Sequence, residues 1–298
     1  MLPLPLATDR LKFADWIELT ALLSADRNAS TGDLSSALAA GSLVDQEGYE
    51  DEAARREAIE MQVLDVFREL EARSVAAAEA YPFTLENTGV VTVNIGADQF
   101  SAYTFCLCLS YVPGKTKVGQ LYPYRMFEEL AAVAARNFVG GEAVRFASPR
   151  LHLPKRFTPA LAAICAMMAE GSTRIRAQRA AKDAKLDVVA WRHFPDRLPG
   201  KLLLFGQCAA GEEWEDKLGE LRPDDFCGAW LSEQPASQRV RAFFIPHRVV
   251  NVRWEDAARS GGLFFDRCRL AYWVRNGELP GDTAAYIRYV QMVLKALA

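Results

Sequence analysis

The sequence is short of the residues on which most metal and nucleophile chemistry turns. Its 298 residues include three histidines, and its six cysteines, at 106, 108, 165, 208, 227 and 268, form no CxxC pair and no Cys/His cluster. That spacing argues against structural zinc. Thiols scattered through apolar segments read instead as buried and reduced, as in a cytoplasmic protein. No apolar run approaches the roughly 18 residues needed to cross a bilayer. The opening MLPLPLATDR has no basic n-region and too short an apolar stretch for a signal peptide. No membrane association is therefore expected. A Walker A loop, a GxGxxG turn after a strand, HExxH and GxSxG are all missing, which argues against nucleotide-driven work. Neither His193 nor His247 has a Ser or Cys partner in a nucleophile motif. No internal repeat or low-complexity tract is present.

What is there is the balance of an ordinary folded protein, half hydrophobic and about a quarter charged. The formal net charge of −3 hides an asymmetry. Residues 1–100 carry 18 acidic and 7 basic side chains, whereas residues 136–185 carry 10 basic and 3 acidic. A basic stretch that includes Arg174, Arg176, Arg179 and Lys182 suits an anionic ligand such as a nucleic-acid backbone, if it also clusters in space.

Along the chain, the first hundred residues read as helical. Phe13, Trp16, Ile17 and Leu23 fall near one face of a first helix, and Glu50–Ala80 has the pattern of a long amphipathic one. A short helix lies between them, started by Asp33 or Ser35. YPFTLENTGVVTVNI alternates like a strand, and DQFSAYTFCLCLSYV reads as a helix packed in the core. A boundary is expected in residues 113–123, giving a mainly helical N-terminal domain over 1–120 and a second domain over 121–298. In the second, YRMFEELAAVAARNFVGG is a helix ended by its double glycine, and AVRFASP is a strand. Thr158-Pro159 opens a helix. EEWEDKLGEL and PDDFCGAWL read as short helices, RVRAFFIPHR as a strand, RWEDAARSGG as a helix and LFFDRCRLAYWV as a strand. Pro280-Gly281-Asp282 caps a last helix.

The most informative stretch is LDVVAWRHFPDRLPGKLLLFGQC, residues 186–208. Leu186–Trp191 and Lys201–Cys208 are short apolar runs bounded by turn residues, and both read as central strands, antiparallel neighbours in a hairpin. A charge at the entry to a buried strand needs a partner, which singles out Asp187. Without the inserted helix, the elements after residue 124 begin αβββαβ. That succession, with Asp187 on one hairpin strand and Gln207 on the next, resembles the PD-(D/E)XK, or restriction-endonuclease-like, nuclease superfamily. It implies an α/β fold in which a mixed central sheet is flanked by helices.

The resemblance further implies a metal-dependent DNA endonuclease, similar to uncharacterised bacterial proteins that serve in antiviral defence. Asp187, Gln207 and the carbonyl of Cys208 would hold Mg²⁺ or Mn²⁺. Glu128, or its neighbour Glu129, would be the acid on the first core helix. The motif lysine is replaced by Ala209, and Lys217 is the nearest basic residue downstream. Similar sequences carry a GDGG turn before the first hairpin strand; here it reads Lys182-Asp183-Ala184-Lys185. These departures support a second reading: a catalytically inactive nuclease fold serving as an interaction subunit with other proteins of a defence or repair system.

Overall fold

A computed structural model of the chain describes residues 2–5, 9–40, 52–112, 117–174, 184–275, 277 and 279–298. The N-terminal part opens with α1 (Arg10–Leu23), capped by Asp9, whose Oδ1 accepts from the Leu11 N–H at 2.9 Å. After β1 (Asn28–Ser30), α2 (Thr31–Ala40) starts two residues before Asp33, whose Oδ2 accepts from the Ser30 N–H at 2.7 Å. In α3 (Glu52–Ala77), Ile59, Val63, Val66 and Leu70 are buried as the helical period requires. The segment read as one strand is a hairpin, β2 (Phe83–Glu86) and β3 (Val90–Val93), because Gly89 turns the chain at φ +75°. β1 pairs along the other edge of β3. Then comes α4 (Ala102–Tyr111), nearly all of it buried.

The second part runs α5 (Pro123–Val139), β4 (Glu142–Arg145), α6 (Phe157–Met168), β5 (Ser172–Thr173), β6 (Val188–Trp191) and β7 (Leu202–Cys208). It continues with α7 (Pro223–Trp230), β8 (Leu231–Glu233), β9 (Gln238–Phe244), α8 (Asn251–Gly261), β10 (Leu263–Phe265), α9 (Arg267–Arg275) and α10 (Thr283–Leu297). Gly140 ends α5 in the left-handed conformation, as the double glycine suggested.

Two expectations fail. LFFDRCRLAYWV is a strand only over its first three residues. Asp266 then stops it, its Oδ1 accepting from the Arg269 N–H at 3.0 Å, and α9 follows with Leu270, Ala271 and Val274 inward. EEWEDKLGEL is not a helix. Only Glu215–Lys217 forms a 3₁₀ turn, because Trp214 is drawn against Phe264 and Gly219 turns away at φ +81°.

The main sheet has five strands in the order β10-β9-β7-β6-β4. β6 is antiparallel to β4 and β7, while β7, β9 and β10 run parallel. Leu186–Trp191 and Lys201–Cys208 thus do contain adjacent antiparallel strands in the middle of the sheet. Helices cover both faces, which is why β6 is apolar at every position. Val188 and Ala190 point to a core shared with α5, and Val189 and Trp191 to one shared with α6 and α7. A third cluster lies under α8 around Phe243 and Phe264. The first core is continuous from Phe13, Trp16 and Leu70 through Phe127 and Leu130 to Phe244 and Leu270. It therefore includes residues from both sides of position 120. Among the described residues no helix is long and apolar enough to cross a membrane.

Candidate functional site

The ends of β6 and β7 meet where Val188 pairs with Gly206. Asp187 stands one residue before that pair, and Gln207 and Cys208 follow it. Residues in a regular strand direct N–H and C=O to the same neighbour. Asp187 does not: its N–H goes to the Gly206 carbonyl at 2.9 Å, whereas its carbonyl accepts from the Phe146 and Ala147 N–H groups on the other side. The backbone turns there, and the carboxylate is held beside β7, Oδ2 accepting from the Cys208 N–H at 2.8 Å. The glycine is required: a Cβ at position 206 would lie 2.6 Å from the Phe244 ring.

Gln207 is buried, 3 % exposed. Its Nε2 donates to Glu220 Oε2 at 2.7 Å, and its Oε1 has no partner. Glu220 also receives Lys185 Nζ on Oε1 at 3.1 Å. Burial works against the charge on Glu220. The hydrogen bonds from Lys185 and Gln207, and the charges of Lys185 and Lys217, outweigh it and hold the carboxyl below its usual range. Lys217 itself is exposed on the 3₁₀ turn, on the Glu220 side of the site. Ala209, where the motif lysine would stand, is 1 % exposed and packed in the cluster with Phe243 and Ile245.

On α5, Glu128 accepts from Arg145 Nε at 2.7 Å, and Glu129 lies 3.7 Å from the same nitrogen. Arg145 is buried and also donates to the Pro149 carbonyl at 2.9 Å. Both acids thus converge on one guanidinium, Glu128 the more closely. Burial raises the Glu129 carboxyl above its usual range, against the pull of Arg145 and His152. Burial, then the carboxylates of Asp187 and Glu128, push the Cys208 thiol well above its ordinary value. These three side chains therefore share one electrostatic neighbourhood.

The basic stretch is put to a different use at the one position that is described. Arg174 donates Nε to the Leu231 carbonyl at 3.1 Å and Nη2 to the Gly228 carbonyl at 2.8 Å, pinning β5 against the end of α7. Arg176, Arg179, Lys182 and Asp183 lie outside the described residues. Three participants escaped the sequence reading: Glu220, Arg145, and Lys185 as a partner of Glu220. Glu220 lies thirteen residues past Gln207 in a loop, with no periodic signal to mark it. The Arg145–Glu128 pair arises only because β4 folds back along α5.

Among the described residues no group of three carboxylate, imidazole or thiol side chains could hold a metal ion. A hard cation needs fewer side chains than that: Mg²⁺ commonly takes one or two carboxylates and keeps its waters. The Asp187 carboxylate and the unpartnered Oε1 of Gln207 are donors of the right kind. The chain matches no protein family, no curated protein and no solved structure with which it was compared.

Proposed function

We propose that the chain is a restriction-endonuclease-like protein that hydrolyses DNA phosphodiesters at the joined ends of β6 and β7, in bacterial defence against foreign DNA. The α5-β4-β6-β7-α7-β9 succession supports that reading, as does the placement of Asp187 beside the residues that follow Gly206. The observation that carries it is the buried, unpartnered Oε1 of Gln207. A buried acceptor left without a donor costs free energy that a bound cation would recover. In this reading Asp187, Gln207 and the Cys208 carbonyl hold Mg²⁺ or Mn²⁺, which polarises the phosphoryl group and acidifies an attacking water. The Cys208 N–H fixes the Asp187 carboxylate. Glu220 takes Nε2 of Gln207 and so decides that the oxygen is the atom left to bind.

A second reading, a catalytically inactive nuclease fold acting as an interaction subunit, is favoured by one specific observation. Glu128 is neutralised by a buried arginine from its own chain, Arg145, and is not open to a metal ion. The same assay tests both readings. The wild type, Asp187→Asn and Asp187→Ala are compared for Mg²⁺- and Mn²⁺-dependent nicking of plasmid DNA, with thermal melts as a folding control. Loss of nicking by orders of magnitude in both variants is expected from the enzyme. Equal cutting by Asp187→Asn would remove the site. A wild type that cuts nothing, even with its partner proteins added, and whose melting temperature Mn²⁺ does not raise, would leave the interaction subunit.

A further inference from the structure

A cavity of about 940 Å³ opens at the carboxyl ends of β7 and β9. Its volume is in the range that small ligands fill, and the carboxyl ends of parallel strands are where α/β sheets form ligand crevices. The loop after β7 supplies Trp214, the loop after β9 supplies Arg248, the end of α4 supplies Tyr111 and the first turn of α1 supplies Lys12. Asp187, Gln207 and Glu220 are not among the lining residues.

Two features of the lining point to the ligand. The first is Arg248, whose side chain is only 7 % exposed. It gives Nε to Glu69 at 3.2 Å and Nη1 to Asp266 at 2.6 Å, and its Nη2 has no partner among the described residues. Two carboxylates thus hold a rigid fork in place while one charged donor stays available, which is unfavourable in a buried position until an acceptor arrives. The second is the rim. Lys12 pairs with Glu212 at 3.5 Å and Arg253 with Glu215 at 2.9 Å, and all four side chains are largely exposed. Exposed pairs of this kind contribute little and exchange readily for another anion. The two acids flank Trp214 on one loop, so the same pairs hold that ring over the cavity.

We propose that this cavity binds a nucleotide, the phosphate on the free donor of Arg248 and the base against Trp214 and Tyr111. Base–aromatic stacking tolerates any base, and the rim cations Lys12 and Arg253 suit the phosphates of a strand leaving the cavity. The nucleotide is either a free mononucleotide or one unit of a DNA strand. Binding of this kind needs no Walker A loop, because nothing is hydrolysed. It is independent of the proposed phosphodiester hydrolysis: nicking reads Asp187, whereas ligand titration reads the cavity, so either can fail alone.

The test is tryptophan-fluorescence titration of the full chain with dAMP, with dTMP, with a short single-stranded DNA and with inorganic phosphate. Saturable quenching by the mononucleotides identifies a free ligand; quenching by the oligonucleotide alone identifies a strand. In either case Arg248→Lys, which keeps the charge but loses the fork, weakens binding about tenfold or more. Val250→Trp, which obstructs the mouth from a half-exposed position, does the same and serves alone if Arg248→Lys does not fold. The proposal is overturned if neither mononucleotide nor oligonucleotide saturates up to about 5 mM. It is also overturned if phosphate alone binds as tightly as the nucleotides, or if both variants bind like the wild type.

Discussion

Gln207 depends on Glu220, and the dependence can be measured. Glu220→Ala leaves a buried amide N–H₂ without an acceptor, so a loss of about 1–3 kcal/mol is expected in urea unfolding, beyond anything the half-exposed Lys185 contributes. Asp187 also has a structural part, since it accepts from the Cys208 N–H. Asp187→Ala should therefore melt slightly lower than Asp187→Asn, which keeps an acceptor oxygen, by about 1 kcal/mol. Two residues away, Ala184 and Lys185 both have positive φ, 54° and 69°. These are the positions where the resemblance carries glycines. A side chain in the left-handed region costs about 1 kcal/mol or more, so Ala184→Gly is expected to raise the melting temperature by roughly 2 °C. An unchanged or lowered melting temperature would show that the turn is not strained.

At the scale of elements, α9 is the piece whose nature local sequence misjudged. Its start depends on Asp266, which is fully buried, caps the helix through Oδ1 and receives Arg248 on Oδ2. Asp266→Ala removes a cap and one of the two acids that hold Arg248. A loss of about 3–5 kcal/mol is expected, the scale of a broken buried ion pair, and Asp266→Asn should recover the capping part alone. Equal destabilisation by the two variants would mean that the charge, not the cap, sets the strand-to-helix switch.

Across the whole molecule, the N-terminal helices and α9 are joined by a buried ionic network. Arg267 donates Nη1 and Nη2 to the two oxygens of Asp15, at 2.7 and 3.0 Å, and Nε to the Pro246 carbonyl. Arg73 reaches Asp15 at 2.7 Å and Glu18 at 2.8 Å, and the Tyr81 and Tyr103 hydroxyls both donate to Glu18. Burial opposes the charge on Asp15, but Arg267 and Arg73 outweigh it and lower its pKa from 3.8 to about 2. Because the folded value lies below the unfolded one, the resulting stability is present above pH 4 and fades as the pH falls toward 2. Burial moves Glu18 the other way. Asp15→Asn should therefore flatten the acid limb of a stability-versus-pH curve between 4 and 2, and Glu18→Gln should steepen it. Since the core and this network both cross position 120, residues 121–298 expressed alone should give no cooperative melt.

What the sequence determined by itself was set by periods and breakers close in the chain. The helical spacing of α3, α5 and α10, the glycines after α5, and the apolar runs of β6 and β7 each specify an element from within a dozen residues. The α/β class follows from their order. The carboxylate beside the hairpin was legible for the same reason: Asp187 is a charge at the mouth of an apolar strand, and only a partner keeps it there. The partners themselves were not legible. Arg145 meets Glu128 across 17 residues, Glu220 reaches Gln207 across 13, and Arg267 binds Asp15 across 252. Only the packing of sheet and helices sets those separations in space. The tertiary structure also turned LFFDRCRLAYWV from strand to helix. A local pattern cannot show that Asp266 will be buried against Arg248, and that burial is what ends the strand.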